Sequence, residues 1–493
     1  MGARPHGQDP RKTVRNYTRC NVYLRGAVVS PLLSFSCSKR SSHAFQPNAG
    51  PQSLRPLDPE VQLYSPAFGH LSAWEYAGWR RESLSWKEGV YLHGGLNPAS
   101  PYRLSGPGAL SLLADACIND FGKFSEGASK HAVMCNAQGN VMSDGIVMRL
   151  GETEFVSFFL SPYIDYLVES GRYDVSGEGL SGKVFLFQVA GPKSLLLLEE
   201  LTGESLRDIE FLWHRTARIS TADGASVTVR ILRMGVARAL AYEVHGPFEM
   251  AEAIYQAIVD AGKGFGLEKL GLLAYGMNHT EGGFAQSFIH FLPAWSEDAA
   301  FMEHLGGRYS GAFEGLPGSA GPDGEARYAN PVELGWGHMI TFDHPFVGSD
   351  ALRRVMAAPK RATVTLEWFK DDVLAIFAAQ FKPHTKVQSM VWPADAIWDR
   401  NAMSLVAADE VMVGDERVGI SSGRIFSHYY GAMLSLALLE IDHAALGTEV
   451  EVRWGNPGTD QRRIRATVSR FPYFDLPFNK DINVHLLPTT VKE

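Results

Sequence analysis

Nowhere in the 493 residues is there a run of about 20 apolar residues, so no transmembrane helix is expected and a membrane is not a partner. Cysteine is scarce too. Cys20, Cys37, Cys117 and Cys135 are too few and too scattered for a disulfide scaffold. None forms a C-x-x-C pair, which leaves out a zinc ribbon or a thioredoxin-type site, and a reducing, cytoplasmic compartment fits. The histidines show neither an H-x-x-x-H spacing nor a His/Cys cluster, so no metal site is expected. Gly262-Lys-Gly-Phe-Gly266 lacks the G-x-G-x-x-G order and follows a helical stretch rather than a strand, which speaks against a phosphate cradle. What is present, 45% apolar and 20% charged residues, is the composition of a globular protein with a sizeable core.

The net charge of −8 is unevenly spread. Residues 1–58 hold nine Lys/Arg against two acids, a balance of +7, so the rest of the chain carries −15. An acidic body repels phosphate backbones, and nucleic acid is not an expected partner. The first 58 residues are Arg- and Ser-rich without a sustained period. They read as a disordered basic tail, with a transit peptide or upstream translated sequence as the alternatives.

From about Val61 the chain alternates strands and helices. Phe155–Leu160 and Val184–Val189 read as buried strands, and Ser226–Leu232 as a half-exposed one. A strand, a Gly-Pro turn and a helical run recur at Ser105-Gly-Pro, Gly191-Pro and Tyr242-Glu-Val-His-Gly-Pro. After the third, Met250, Ile254, Ala257, Ile258 and Ala261 share one helical face. Three recurrences indicate duplicated α+β units rather than one doubly wound sheet. The Gly- and Pro-rich stretch 306–327 is a plausible boundary. Beyond about Lys360 short strands predominate: Ala362–Trp368, Val418–Ser422, Glu449–Trp454 and Ile464–Val468. The expected organisation is an α+β region over 59–330 with two interleaved subdomains, a connecting segment over 331–380, and a small β-barrel-like domain over 381–493. Pattern alone stops at an acidic, multi-domain α+β protein with the character of an enzyme.

Several strings, taken together and in order, resemble the folate-binding family of the glycine-cleavage T-protein. They are Ile118-Asn-Asp with Gln138-Gly-Asn-Val-Met-Ser-Asp144, the long segment Asn330–Leu352 (NPVELGWGHMITFDHPFVGSDAL), and Val418–Ser427 (VGISSGRIFS). The resemblance spans roughly residues 61–480. Within the family the likeness is to tetrahydrofolate-dependent aryl O-demethylases acting on vanillate, 3-O-methylgallate and syringate. It is carried by Val61-Gln-Leu-Tyr-Ser-Pro with Trp74 and Trp79, by Ala261–Leu267, by Ala274-Tyr275 and by Asn330–Leu352. The resemblance implies transfer of a methyl group from a methoxy-arene to N5 of tetrahydrofolate, with neither metal nor corrinoid.

Such chemistry needs the reacting atoms held in line, a proton donor for the departing phenolate, and a carboxylate for the pterin N–H donors. The resemblance places Glu243 as that carboxylate, Phe211 as a pterin-stacking ring, Tyr275 as the proton donor, His93 as a second catalytic residue opposite the family's substrate-pocket histidine, and Tyr64 in the substrate pocket. Leu160 stands where the vanillate-type enzymes carry an arginine for the substrate carboxylate. Its loss opens the field to syringate, a neutral methoxyphenol or a methylenedioxy-arene. The alternatives are an aminomethyl or sulfonium substrate within the same family, or a folate-binding protein without turnover.

Overall fold

A computed structural model describes residues 58–67, 70–94, 99–236, 238–306, 315–395 and 406–489. Apart from Asp58, the expected basic tail falls outside them, as do residues 95–98 of the segment after His93.

The three strand, Gly-Pro and helix units form as the periodicity predicts. Tyr102–Ser105 leads into helix Ala109–Ala116, Val184–Ala190 into Ser194–Thr202, and Ala241–Pro247 into Ala251–Gly262. In the third unit Ile254 and Ile258 are fully buried, with Ala257 and Ala261 packed at the edge of the same cluster. The turn glycine is obligatory at Gly191. Its φ is 125°, and a Cβ there would stand 2.5 Å from the carbonyl oxygen of Gly89.

These units feed two sheets. The six-stranded sheet runs His214–Ser220, Ser226–Leu232, Ala241–Pro247, Val184–Ala190, Val90–His93 and Leu267–Lys269, antiparallel except for the last pair. The five-stranded sheet runs Ser129–Cys135, Val141–Arg149, Glu154–Phe158, Tyr102–Ser105 and Ser176–Gly179, antiparallel throughout. One face of the six-stranded sheet packs on its own helices through Leu92, Phe187, Val244 and Ile258. The other face meets the five-stranded sheet. Tyr91, Leu186, Ala241 and Leu232 from one side join Ile146, Met148, Val156 and Phe158 from the other in a single cluster. Ala274 and Tyr275 of helix Leu272–Gly282 complete that cluster, and every residue of this helix is buried.

Both ends of the helix are pinned. At its start the Gly271 N–H donates to Glu82 Oε2 at 2.8 Å, while Glu82 Oε1 accepts from the N–H groups of Tyr76 at 2.7 Å and Ala77 at 2.9 Å. Toward its end Glu281 Oε2 meets Lys87 Nζ at 2.5 Å in a pair that is almost wholly buried. Lys87 Nζ also donates to the Ser83 carbonyl at 2.9 Å and lies 4.3 Å from the centre of the Trp86 ring.

The C-terminal strands close into a six-stranded barrel in the order Arg361–Trp368, Ala432–Glu440, Glu416–Ser427, Ala408–Val413, Glu449–Trp454 and Arg462–Ser469. The boundary expected at residue 381 therefore needs correction. Arg361–Trp368, counted above in the connecting segment, pairs with both Ala432–Glu440 and Arg462–Ser469 and is the strand that closes the barrel. A helix, Lys370–Ala379, follows it and made the strand look detached from the rest.

Gly271 is the tightest point of the helix anchor. A Cβ there would stand 2.2 Å from the Trp74 carbonyl oxygen, whereas one at Gly264 would meet nothing within 4 Å. Gly271→Ala is expected to destabilise the protein by about 1–3 kcal/mol through overpacking. Thermal melts should show a Tm several degrees lower for Gly271→Ala and nearly unchanged for Gly264→Ala.

Candidate functional site

The wall facing the five-stranded sheet carries polar side chains where apolar ones would pack at no cost. His93, Gln188 and Glu243 are direct cross-strand partners on three adjacent antiparallel strands, so they project from one face in a row. All three are buried, at 1%, 0% and 3% exposure. Two residues along each strand, Tyr91 and His245 lie on the same face.

Tyr275 reaches this row from the helix above. Its ring stacks on His93 with centroids 4.2 Å apart and planes 10° from parallel. His279, one turn on, meets the Tyr275 ring edge-on at 4.8 Å. Thus the structure brings three of the expected residues, His93, Tyr275 and Glu243, into one neighbourhood.

The protonation of this cluster follows from its partners. His93 Nδ1 lies 2.9 Å from the Leu270 carbonyl oxygen, which can only accept, so the proton sits on Nδ1 and the lone pair on Nε2. Burial pushes the His93 pKa down to about 4, which leaves the ring neutral at pH 7. Its Nε2 is buried and has no hydrogen-bond partner among the described residues. Burial, reinforced by Tyr91 and Glu243 nearby, raises the Tyr275 pKa well above 10 and keeps its phenol a proton donor. Tyr91 donates its hydroxyl proton to Gln188 Oε1, which fixes that amide with Nε2 unpaired among the described residues. Glu243 Oε2 lies 3.2 Å from His245 Nε2, and the His245 ring tilts against Phe158 at 4.9 Å.

The row thus offers a carboxylate, a lone pair on His93, an amide N–H on Gln188 and a phenol, from four elements. Buried polar atoms without partners each cost about 1–3 kcal/mol, and such costs persist where a ligand supplies the missing bonds. Gln188, Tyr91 and His245 escaped the sequence reading. Gln188 had a visible signal: it is the lone polar residue in the buried strand Val184-Phe-Leu-Phe-Gln-Val-Ala190.

Three expected residues stand elsewhere. Leu160 is fully buried in the core of the five-stranded sheet with Leu104, Ile164 and Leu167, so it does not line the row. The chain passes through Phe159 at φ 67°, which breaks the strand alternation, and the side chain that faces the row from this strand is Phe158. Tyr64 lies in the hairpin Leu63–Ala67/His70–Glu75, its hydroxyl accepting from the Asp58 N–H at 2.6 Å. Phe211 is half-buried in the turn ahead of His214–Ser220, two strands over from Glu243. Among the described contacts none joins Tyr64 or Phe211 to Glu243.

The string Gly419-Ile-Ser-Ser-Gly423 has the spacing of a hydrolase nucleophile elbow. It lies inside strand Glu416–Ser427, where Ser421 donates to Ser435 Oγ and Ser422 to the His290 carbonyl, each at 2.8 Å, and neither serine has a base among the described residues.

The neutral His93 has a consequence for pH dependence. Its folded pKa, about 4, is below the unfolded value near 6.5, so unfolding takes up a proton between those limits. The stability it contributes is present above pH 6.5 and lost as pH falls toward 4. Glu82, which burial pushes up to about 6, has the opposite slope, so a difference measurement is needed. His93→Asn retains a donor for the Leu270 carbonyl but cannot titrate. Denaturant unfolding from pH 7.5 to 4.5 should show a shallower acid loss in the variant, by about 1–3 kcal/mol across the window. Parallel profiles would show that His93 is not buried neutral.

Residues 64–288 match the family described as the GCVT N-terminal domain. The chain is 42% identical over 426 residues to a sesamin methylene transferase of Sinomonas sp. strain No.22, covering 84% of this chain and 93% of that protein. It is 29% identical over 423 residues to a syringate O-demethylase of Sphingobium sp. strain SYK-6, covering 81% and 89%. Among solved structures, the glycine cleavage system aminomethyltransferase T of Bartonella henselae superposes with a TM-score of 0.61 at 15% identity, over 85% of this chain and 96% of that one. That likeness confirms the arrangement of mixed sheets and terminal barrel. With relatives of this extent across both sheets and the barrel, the chain belongs to the T-protein (GCVT) family of one-carbon transferases.

Proposed function

We propose that the protein transfers a one-carbon unit from an aryl ether, a methylenedioxy-arene foremost and a methoxy-arene second, to tetrahydrofolate. The observation that carries this reading is the neutral His93 stacked on the protonated Tyr275, set beside the Gln188–Glu243 pair. The relatives support it, since their names state methylene transfer at 42% identity and syringate O-demethylation at 29%.

The unpaired Gln188 Nε2, the open His93 Nε2 and the buried Glu243 carboxylate suit a pterin, whose edge offers both donors and acceptors. Glu243 would take two pterin N–H groups side by side, and Gln188 would donate to a ring acceptor. Tetrahydrofolate supplies the amine nitrogens that accept the carbon: a methylenedioxy donor leaves a catechol and 5,10-methylenetetrahydrofolate, a methoxy donor a phenol and 5-methyltetrahydrofolate. Tyr275 gives its proton to the departing aryl oxygen and would regain one from the folate amine N–H whose nitrogen takes the carbon. A tyrosine has a reference pKa near 10, close to that of the departing phenol. His93 holds Tyr275 by stacking and offers Nε2 as a hydrogen-bond acceptor. The packed sheets exclude water and fix the alignment of the reacting atoms, which lowers the barrier more than any other contribution open to such a site.

Phe158, an apolar ring packed against His245 of the opposite sheet, faces the row from the strand where the vanillate-type enzymes would carry a carboxylate-binding arginine. Lys87 is already paired with Glu281. Both features favour a neutral arene over a benzoate.

The test is incubation with tetrahydrofolate and a panel of methylenedioxy- and methoxy-arenes, with mass spectrometry of the folate products. A one-carbon folate formed together with the phenol or catechol is expected. Folate left unchanged with every arene would contradict the reading. Glu243→Ala should weaken tetrahydrofolate binding roughly 10- to 100-fold in calorimetry, through charge-assisted bonds worth about 1.5–3 kcal/mol. Tyr275→Phe should lower kcat by about 10²–10⁴-fold with little change in KM. Near-native kcat on every substrate would reduce Tyr275 to a wall of the pocket.

A further inference from the structure

Helix Leu272–Gly282 holds a second polar group that the transfer just described does not use. Asn278 stands three residues after Tyr275, so both side chains project toward the same side of the helix. It is fully buried. Its amide abuts the Tyr91 hydroxyl, whose single proton goes to Gln188 Oε1 and whose oxygen can take only one of the two Nδ2 protons, so Oδ1 and the other N–H are left to a ligand. Neither Oδ1 nor Nδ2 of Asn278 completes a hydrogen bond among the described residues. Its helix neighbours Ala274 and Met277 are buried and apolar, a setting that a leucine of similar volume would suit better. An amide kept here with both ends open, over the same polar row as Tyr275, is placed to read a ligand rather than to hold the fold.

We propose that Asn278 is a specificity residue for arenes bearing oxygens on adjacent ring carbons. The proposal rests on the aryl-ether reading above: Tyr275 faces the oxygen that departs, and Asn278 faces its neighbour. Nδ2 donates to an ether oxygen, and Oδ1 accepts from the hydroxyl of a methoxyphenol or of the catechol product. An arene with a single oxygen leaves the buried amide unpaired, and a site built around a hydrogen bond rejects such a ligand strongly.

The experiment measures binding of 1,3-benzodioxole, 1,2-dimethoxybenzene and 2-methoxyphenol against methoxybenzene to the full-length protein, by calorimetry with and without tetrahydrofolate. Wild type should prefer the three adjacent-oxygen ligands by at least about tenfold. In Asn278→Leu the preference should shrink to within about threefold, with tetrahydrofolate affinity unchanged and the Tm of the free protein equal or higher. Asn278→Ala, which leaves room, is read in parallel in case the leucine does not fit. Absence of the preference in wild type, or its survival in both variants, overturns the proposal. So does a Tm several degrees lower in both variants, because the amide would then be holding the fold. A preference that stands while no arene yields a one-carbon folate leaves Asn278 as assigned and sinks the transfer reading. Turnover without the preference does the reverse.

Discussion

The seating of helix Leu272–Gly282 on strand Val90–His93 is the constraint on which the site depends. One end is held by the Glu82 carboxylate, which gathers the N–H groups of Tyr76, Ala77 and Gly271, and the other by the buried Lys87–Glu281 pair. A buried carboxylate and a buried ion pair are weak sources of net stability, since desolvation offsets most of their attraction. Their value here is geometric. With both ends fixed, Tyr275 is held flat against His93.

That seating also explains the electrostatics. Two sheets and a helix close over the row, so the titratable groups His93, Tyr91 and Tyr275 are desolvated and drawn to their neutral forms: His93 downward, Tyr91 and Tyr275 upward. Neutral donors and acceptors are what a transfer between neutral partners calls for, because they can pass and receive protons without a buried charge first being created. Glu243 is the acid buried within the same row, directly opposite Gln188.

Much of the scaffold was legible in the sequence because it is local. The Gly-Pro turns with the 3.6-residue face of Ile254 and Ile258, and the alternation of Ser226–Leu232, each fix an element from its own residues. Which elements pair is not local, and Arg361–Trp368 shows it: a strand readable as such was assigned outside the barrel because its partners lie about 70 and 100 residues away. The site divides in the same way. His93, Tyr275 and Glu243 came from the family resemblance rather than from any pattern, and neighbouring strands and a helix set them together. Leu160 lies away from the row because Phe159, one residue before it, takes a positive φ, and a single such step swaps which side chain faces the row. Tyr64 lies in a separate hairpin, and Phe211 in a turn, where no periodicity dictates direction. Gln188 and Asn278 were hidden for a different reason: only their surroundings show that their amides lack partners among the described residues.

The central claim is that the space between the sheets passes carbon from an aryl ether to tetrahydrofolate. The most direct measurement is a single turnover with a donor carrying ¹³C at the ether carbon, followed by NMR of the folate fraction. The account predicts that the label appears in tetrahydrofolate in one-to-one ratio with the phenolic hydroxyl or catechol released, as a methylene or a methyl carbon according to the donor. Label recovered as free formaldehyde or methanol at the same rate whether or not tetrahydrofolate is present would contradict it.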